Sequence, residues 1–289
     1  MKTPRIGHIL LATDGSPEAE AAVNTTMVFA KAAAASVDVV HVWNLEVHHR
    51  HGVWDIETRS EAESLLNDTV MRLRAAGIPT DSEIMRADAK HVAPAIAESA
   101  RHSQADLVIV GSRGLSDWQS IIQHSVSHEL LCALDCPLLI VQAKPVTTGS
   151  GFPRVLVAIA GGDDVLPAVR AAMAAASEPG AEVLVVHVAQ TIVSSQGFAY
   201  VEPEEEIHAA IEQATNLLNE AGIACEAMVA HAGPVAQVVA QSAAEWRADL
   251  IVIGSSRIGD LGSMLFGSVT HALLRATERP LLVAERING

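Results

Sequence analysis

The sequence is poor in aromatic residues and in cysteine. Aromatic side chains make up 3% of the 289 residues, and the only cysteines are Cys132, Cys136 and Cys225. A small, odd number of thiols without metal-type spacing is typical of a reduced compartment rather than of a disulfide-bonded secreted domain. Because 49% of the residues are nevertheless apolar, and mostly aliphatic, we expect a core of closely packed small side chains.

Long hydrophobic runs and excess positive charge are also missing. No run approaches the roughly 20 apolar residues that a membrane span needs, and the first residues lack the apolar segment and cleavage site of a secretion signal. The net charge of −15 would be repelled by nucleic-acid phosphates and by anionic lipids. The composition therefore predicts a cytoplasmic protein that binds neither nucleic acid nor a membrane.

The chain contains the same unit twice. Residues 105–114 read Ala-Asp-Leu-Val-Ile-Val-Gly-Ser-Arg-Gly, and residues 248–257, 143 positions later, read Ala-Asp-Leu-Ile-Val-Ile-Gly-Ser-Ser-Arg. A duplicated unit of this length has the usual size of a domain. The sequence thus predicts one domain over residues 1–143, a second over 154–289, and a Pro/Gly/Ser-rich linker over 144–153.

Strand and helix patterns alternate within each repeat. Strands are predicted over residues 8–13, 37–43, 80–86, 106–110 and 138–142, and again over 154–159, 182–188, 224–229, 249–253 and 281–285. Residues 44–57 are interpreted as an irregular excursion. Continuously apolar strands indicate parallel strands buried on both faces. The prediction is an α/β fold with two tandem doubly wound, Rossmann-like parallel sheets.

A glycine follows directly after the same apolar strand in each repeat. These are Gly111 and Gly254, and Ser125 and Ser268 stand further along at the start of a predicted helix. Glycine lets backbone N–H groups approach an anion, and a helix N-terminus with a hydroxyl suits a phosphate. Asp14, after the first strand, is suited to hold a ribose hydroxyl or a phosphate-bound cation. These features favour nucleotide binding; the alternative is that the glycines only shape turns.

The first repeat carries a more specific pattern. Gly111-Ser112-Arg113-Gly114, nine further residues and then His124-Ser125, with Asp14-Gly15-Ser16 near the start, resembles the universal stress protein family. The resemblance covers essentially the whole chain. It implies two tandem domains of the family fold and a bound adenine nucleotide, ATP, with or without Mg²⁺. The residues that the resemblance assigns to nucleotide binding are Asp14, Val42, Gly111, Ser112, Gly114 and Ser125 in the first repeat, and Val188, Gly254, Gly267 and Ser268 in the second.

Both repeats depart from the family pattern. His124 stands where a third glycine is expected, Ala160 replaces the aspartate in the second repeat, and Arg257 replaces its second loop glycine. The first repeat, which keeps Asp14, is favoured as the nucleotide-binding one. In the second repeat, two roles of Arg257 stay open: it pairs with a phosphate or it occupies the cavity. The alternative for the whole protein is that His124 and Arg257 fill both pockets and the protein is a non-nucleotide interaction scaffold.

The resemblance also implies a role and an assembly. It implies a stress-response sensor or regulator that acts through its bound state. The two halves would pack as an internal pseudo-dimer through strands 138–142 and 281–285, with a homodimer and an unspecified protein partner as further expectations.

No catalytic constellation is recognisable. The sequence has neither a Gly-x-Ser-x-Gly elbow nor a Gly-x-x-x-x-Gly-Lys-Ser loop, so we expect at most slow ATP hydrolysis. His48, His49 and His51 are potential metal ligands without a recognised spacing, and a solvated loop is the favoured interpretation over a metal site. His41 and His187 lie inside apolar strands and are expected to be buried and hydrogen-bonded.

Overall fold

The chain divides into two compact units between Ser150 and Gly151. A computed structural model describes residues 5–48, 52–55, 57–88, 91–112, 126–142, 151–160, 165–189, 191–194, 197–200, 203–231, 233–254 and 268–284. Within these residues, no helix combines the length and the hydrophobicity that a membrane span requires.

Strands and helices alternate along the first unit. Its strands are β1 (His8–Ala12), β2 (Ser36–His48), β3 (Gly52–Asp55), β4 (Thr80–Asp88), β5 (Leu107–Gly111) and β6 (Leu138–Val141). Its helices are α1 (Pro17–Ala33), α2 (Arg59–Ala75), α3 (Val92–Ser103) and α4 (Val126–Ala133).

The first unit is built on a parallel sheet with the order β4-β2-β1-β5-β6. The chain proceeds from β1 to one side of the sheet and returns to β5 on the other, so the strand order reverses between these two strands. Such a reversal opens a crevice at the carboxyl ends of the two strands. The structure differs from the sequence prediction at residues 44–57, where β2 continues to His48 and pairs with β3 as an antiparallel hairpin.

The second unit repeats this arrangement. Its strands are β7 (Arg154–Ile159), β8 (Glu182–Val188), β9 (Thr191–Ser194), β10 (Gly197–Tyr200), β11 (Ala224–Ala230), β12 (Leu250–Ile253) and β13 (Leu281–Val283). Its helices are α5 (Val165–Ala175), α6 (Glu204–Glu220), α7 (Val235–Glu245) and α8 (Ser268–Ala276). The parallel order β11-β8-β7-β12-β13 matches the first unit, and β9 and β10 form a separate hairpin. The predicted α/β fold of two tandem Rossmann-like units is confirmed.

Helix α1 lies very close to the end of β5. Ser16 caps the helix by accepting a hydrogen bond from the Ala19 N–H, and Pro17 occupies its first turn. A Cβ atom added to Gly111 would lie 2.6 Å from the carbonyl carbon and oxygen of Glu18 and 2.7 Å from the Ala19 nitrogen. The missing side chain of Gly111 therefore makes room for the backbone of α1.

The aspartate of the repeated Ala-Asp-Leu motif connects two neighbouring strands in each unit. Asp106 Oδ2 accepts hydrogen bonds from the Gly7 N–H at 2.8 Å and from the His8 N–H at 2.9 Å. Asp249 Oδ2 accepts from the Arg154 N–H at 3.0 Å. Each carboxylate thus fastens the amino end of the central strand, β1 or β7, to the start of the adjacent strand.

Burial raises the pKa of Asp249 above its ordinary value. The hydrogen bond from the Arg154 N–H and the positive charges of Arg279 and Arg154 offset only part of this effect. A carboxyl group with a raised pKa binds more protons in the folded than in the unfolded chain, so its contribution to stability is present at low pH and is lost as the pH rises.

The first prediction concerns Asp249→Asn, which keeps an oxygen that accepts from the Arg154 N–H but removes the titration. We expect the stability of the wild type relative to this variant to decrease as the pH rises upward from the ordinary carboxyl pKa of 3.8. Urea unfolding of both proteins at a series of pH values measures the difference. A difference that is flat or that grows in favour of the wild type would contradict the prediction.

The second prediction concerns Gly111→Ala, whose methyl group would overlap the backbone of α1. We expect a loss of about 1–3 kcal/mol in the free energy of unfolding, as for other overpacked sites. The matched control is Gly7→Ala, because a Cβ there lies at an ordinary 3.5 Å from Asp106 Oδ2, and a change within about 0.5 kcal/mol is expected. Equal stability of the two variants in urea unfolding would contradict the prediction, because α1 would then move away from the added methyl group without a loss in the free energy of unfolding.

Candidate functional site

The turn between β1 and α1 lies at the carboxyl end of β1, beside the reversal of strand order. Asp14 in this turn is exposed, and its Oδ1 accepts a hydrogen bond from the Ser16 N–H at 3.0 Å. Ser16 Oγ in turn accepts from the Ala19 N–H at 3.2 Å. These two hydrogen bonds hold the turn, and the first of them positions the Asp14 carboxylate at the carboxyl edge of the sheet.

Three of the predicted site residues lie at the same carboxyl edge of the sheet, and the strand register puts two of them on one face. Ala12 at the end of β1 pairs with Val40 of β2 and with Val110 of β5. Residues two positions further along each strand keep the same face, because side chains alternate with a period of two. Val42 therefore lies on the face of Val40, and Ser112, directly after β5, continues the face of Val110. Asp14 follows Ala12 by two residues, in the turn that leaves β1 at the same carboxyl edge.

This face of the sheet is the one that α3 covers. Ser99 of α3 donates a hydrogen bond to Glu83 Oε2 at 3.1 Å, and Glu83 of β4 pairs in register with Val40. Val42 is half-buried at the end of this face. It offers a partly accessible apolar surface at the edge where the turn with Asp14 also lies.

Gly111 and Ser112 serve the packing of the sheet as well as the candidate site. Gly111 is the point of contact with α1. The Ser112 N–H donates to the Val141 carbonyl at 2.7 Å, and the residue is 6% exposed. Because the sheet already uses this N–H, it does not offer a hydrogen bond to a ligand.

The remaining predicted residues of the loops are only partly described. Gly114, Ser125 and Gly267 lie outside the described residues, as do His124 and Arg257. Ser268 is the first residue of α8. The assignment of Gly114, Ser125, Gly267 and Ser268 to phosphate binding stays a prediction.

The corresponding edge of the second unit has different chemistry. Ile159 pairs with His187, so Ala160 and Val188 are the neighbours that correspond to Asp14 and Val42. Ala160 has no carboxylate, and Val188 is 9% exposed. Gly254 follows β12 and is half-buried. At the position of Asp14, the described part of this edge therefore has an alanine instead of an acid.

Sequence reasoning did not identify the partners of His41. The residue is 3% exposed, as expected of a buried strand histidine. Its Nδ1 lies 2.7 Å from the Thr13 carbonyl oxygen and its Nε2 lies 2.5 Å from Glu57 Oε1. The only local signal was the histidine itself within an apolar strand, since Glu57 is distant in sequence and falls in a segment predicted to be irregular.

The histidine-rich segment provides no metal centre that the structure describes. His49 and His51 lie outside the described residues. Across the described part of the chain, no three or more His, Cys, Asp or Glu side chains are grouped to hold a metal ion.

Comparison with known proteins agrees with this architecture. The model of the family described as "Universal stress protein family" matches residues 5–142 and 151–285. A universal stress protein of Mycobacterium tuberculosis is 26% identical over 301 residues, covering 99% of this chain and 100% of that protein. One of Bacillus subtilis is 32% identical over 146 residues, covering 46% of this chain and 98% of that protein.

A solved structure shows the same fold. A universal stress protein from Archaeoglobus fulgidus superimposes with a TM-score of 0.75 at 23% sequence identity, covering 96% of this chain and 98% of that one. The family model matches most of the chain, once in each half. This chain therefore belongs to the universal stress protein family, as a tandem member with one family domain in each half.

Proposed function

We propose that the first unit binds an adenine nucleotide, ATP with a divalent cation, and that the protein acts as a nucleotide-dependent sensor or regulator in a stress response. The observation that supports this proposal is the shared edge of Asp14, Val42 and Ser112 at the reversal of strand order. Ligands of open parallel sheets bind at such an edge.

Each residue of this edge has a chemical role in the proposal. The exposed Asp14 carboxylate accepts hydrogen bonds from ribose hydroxyls, or joins the phosphates in coordinating Mg²⁺, which typically takes one or two carboxylates plus phosphate oxygens. Val42 supplies an apolar flank for the adenine ring. Gly114 and Ser125 are the proposed phosphate contacts, on the strength of the family resemblance.

We propose that the second unit is an interaction scaffold rather than a second nucleotide site. The specific observation is the pair Ala160 and Val188, which replaces the acid and leaves the valine buried. Without a carboxylate, this edge has no partner for a ribose hydroxyl at the equivalent position.

The third prediction is that calorimetric titration of the full chain with ATP and Mg²⁺ detects one site. Asp14→Ala should weaken binding at least about tenfold, because a hydrogen bond to a charged group is lost. The matched control is Asp135→Ala, which removes one exposed carboxylate ahead of β6, at the opposite end of the strands. We expect it to bind as the wild type does.

Other results would replace the proposal. Absence of binding at millimolar ATP would favour the scaffold interpretation for both units. If Gly254→Val weakened binding more than Asp14→Ala, the second unit would be the nucleotide-binding one. Phosphate release well above a buffer blank that disappears in Asp14→Ala would indicate a hydrolase instead of a sensor.

A further inference from the structure

His41 lies on the opposite side of the sheet from the proposed nucleotide-binding face. Strand alternation turns its side chain away from that of Val42. Its side chain is 4% exposed, and that of its partner Glu57 is 25% exposed. His41 therefore does not contact a ligand bound beside Asp14 and Val42, and any effect it has on binding acts through the main chain.

The hydrogen bonds of His41 fix the orientation of its ring. A carbonyl oxygen only accepts, so Nδ1 carries a proton and donates to Thr13. Thr13 is the residue directly before Asp14. The other nitrogen, Nε2, makes a hydrogen bond with the Glu57 carboxyl group. The imidazole thus connects the main chain next to Asp14 to Glu57.

Glu57 is held by two residues of β2. His41 binds its carboxylate, and Trp43, two positions further along the same face, donates its indole N–H to the Glu57 carbonyl at 3.0 Å. Glu57 directly precedes the N-cap of α2. The start of this helix is consequently fastened to the strand that carries Val42.

The first turn of α2 is itself rigid. The Thr58 N–H donates to Glu61 Oε2 at 2.7 Å, and the Glu61 N–H donates to Thr58 Oγ1 at 3.3 Å. These reciprocal bonds form a capping box. The hydrogen bonds from Thr58 lower the pKa of Glu61 below its ordinary value. A displacement of Glu57 would therefore displace the whole start of α2.

Helix α2 also lies against the β1–α1 turn directly. Gly15 has a φ of +73°, and a Cβ there would lie 2.2 Å from Leu65 Cδ1 of α2. The turn that presents Asp14 is thus contacted at the two residues that flank this aspartate, by His41 at Thr13 and by Leu65 at Gly15. The first contact comes from β2 and the second from α2, and the His41–Glu57 hydrogen bond connects these two elements.

We propose that His41, through its hydrogen bonds to Thr13 and Glu57, is a positioning residue that holds the turn carrying Asp14 in its nucleotide-binding geometry. The inference rests on the proposed function of the first unit. It adds that the affinity for nucleotide depends on the attachment of α2 to β2, and that occupancy of the site is transmitted to the start of α2.

The fourth prediction separates the two bonds of the ring. Asn at position 41 places an amide N–H near the position of Nδ1 and does not reach Glu57. We expect His41→Asn and Glu57→Ala each to weaken ATP binding about tenfold, and the double variant to be no weaker than either single one. Glu57→Gln keeps the length and offers Nε2 both an acceptor oxygen and a donor N–H, so the hydrogen bond can form and binding should stay within about threefold of the wild type.

The matched control is His187→Asn in the second unit. His187 has the corresponding position in β8, pairs with Ile159 and is 1% exposed. The substitution removes the same buried ring while the first unit is untouched. We expect ATP binding as in the wild type, so a general cost of replacing a buried histidine is separated from a specific effect on the site.

A second measurement needs no nucleotide. Amide hydrogen exchange at Ser16 and Ala19, whose N–H groups bond to Asp14 and Ser16, reports the order of the turn. We expect faster exchange in His41→Asn and Glu57→Ala, and unchanged exchange in Glu57→Gln and His187→Asn. Unchanged exchange in the first two variants would overturn the positioning role.

The outcomes for the two proposals are distinct. If the wild type binds ATP and Asp14→Ala does not, while His41→Asn and Glu57→Ala bind normally, the positioning role is wrong and the proposed function stands. If the wild type fails to bind ATP, the proposed function fails, and with it any role of His41 in nucleotide affinity.

Discussion

The parallel hydrogen-bond register of β1 against β2 and β5 is the constraint on which the rest of the first unit depends. Because Ala12 pairs with Val40 and with Val110, residues that are far apart in sequence lie at the same carboxyl edge of the sheet. A shift of one residue in either ladder would turn Val42 or Ser112 to the other face. The Asp106 carboxylate at the amino end of β1 and the close contact of Gly111 with α1 both hold this register.

The two units show how one fold supports different surface chemistry. Their sheets have the same order and their aspartate contacts, Asp106 and Asp249, are equivalent. The edges differ because the residue after the central strand is Asp14 in one unit and Ala160 in the other. Fold membership therefore supports the architecture of both units, whereas a proposal about function has to be argued from the residues at each edge.

The two faces of the first sheet have separate tasks in this interpretation. The face covered by α3 presents the candidate binding residues, and the opposite face carries the buried bonds of His41. A hydrogen bond to the buried ring of His41 is more costly to disrupt than a surface ion pair such as Arg59–Glu63, whose side chains are 75% and 48% exposed. Such a bond is well suited to fix the backbone of a turn from which a ligand-binding carboxylate projects.

The sequence by itself determined the duplication, the alternation of strands and helices, and the glycine and aspartate that mark the edge of the first sheet. These are local patterns, because periodicity and turn residues act over a few positions. Only the tertiary structure decided that β2 and β3 form a hairpin, that Gly111 accommodates α1, that Asp106 fastens β1, and that His41 meets Glu57. Each of these contacts depends on strand register and helix placement. No local pattern in the sequence encodes which segments meet.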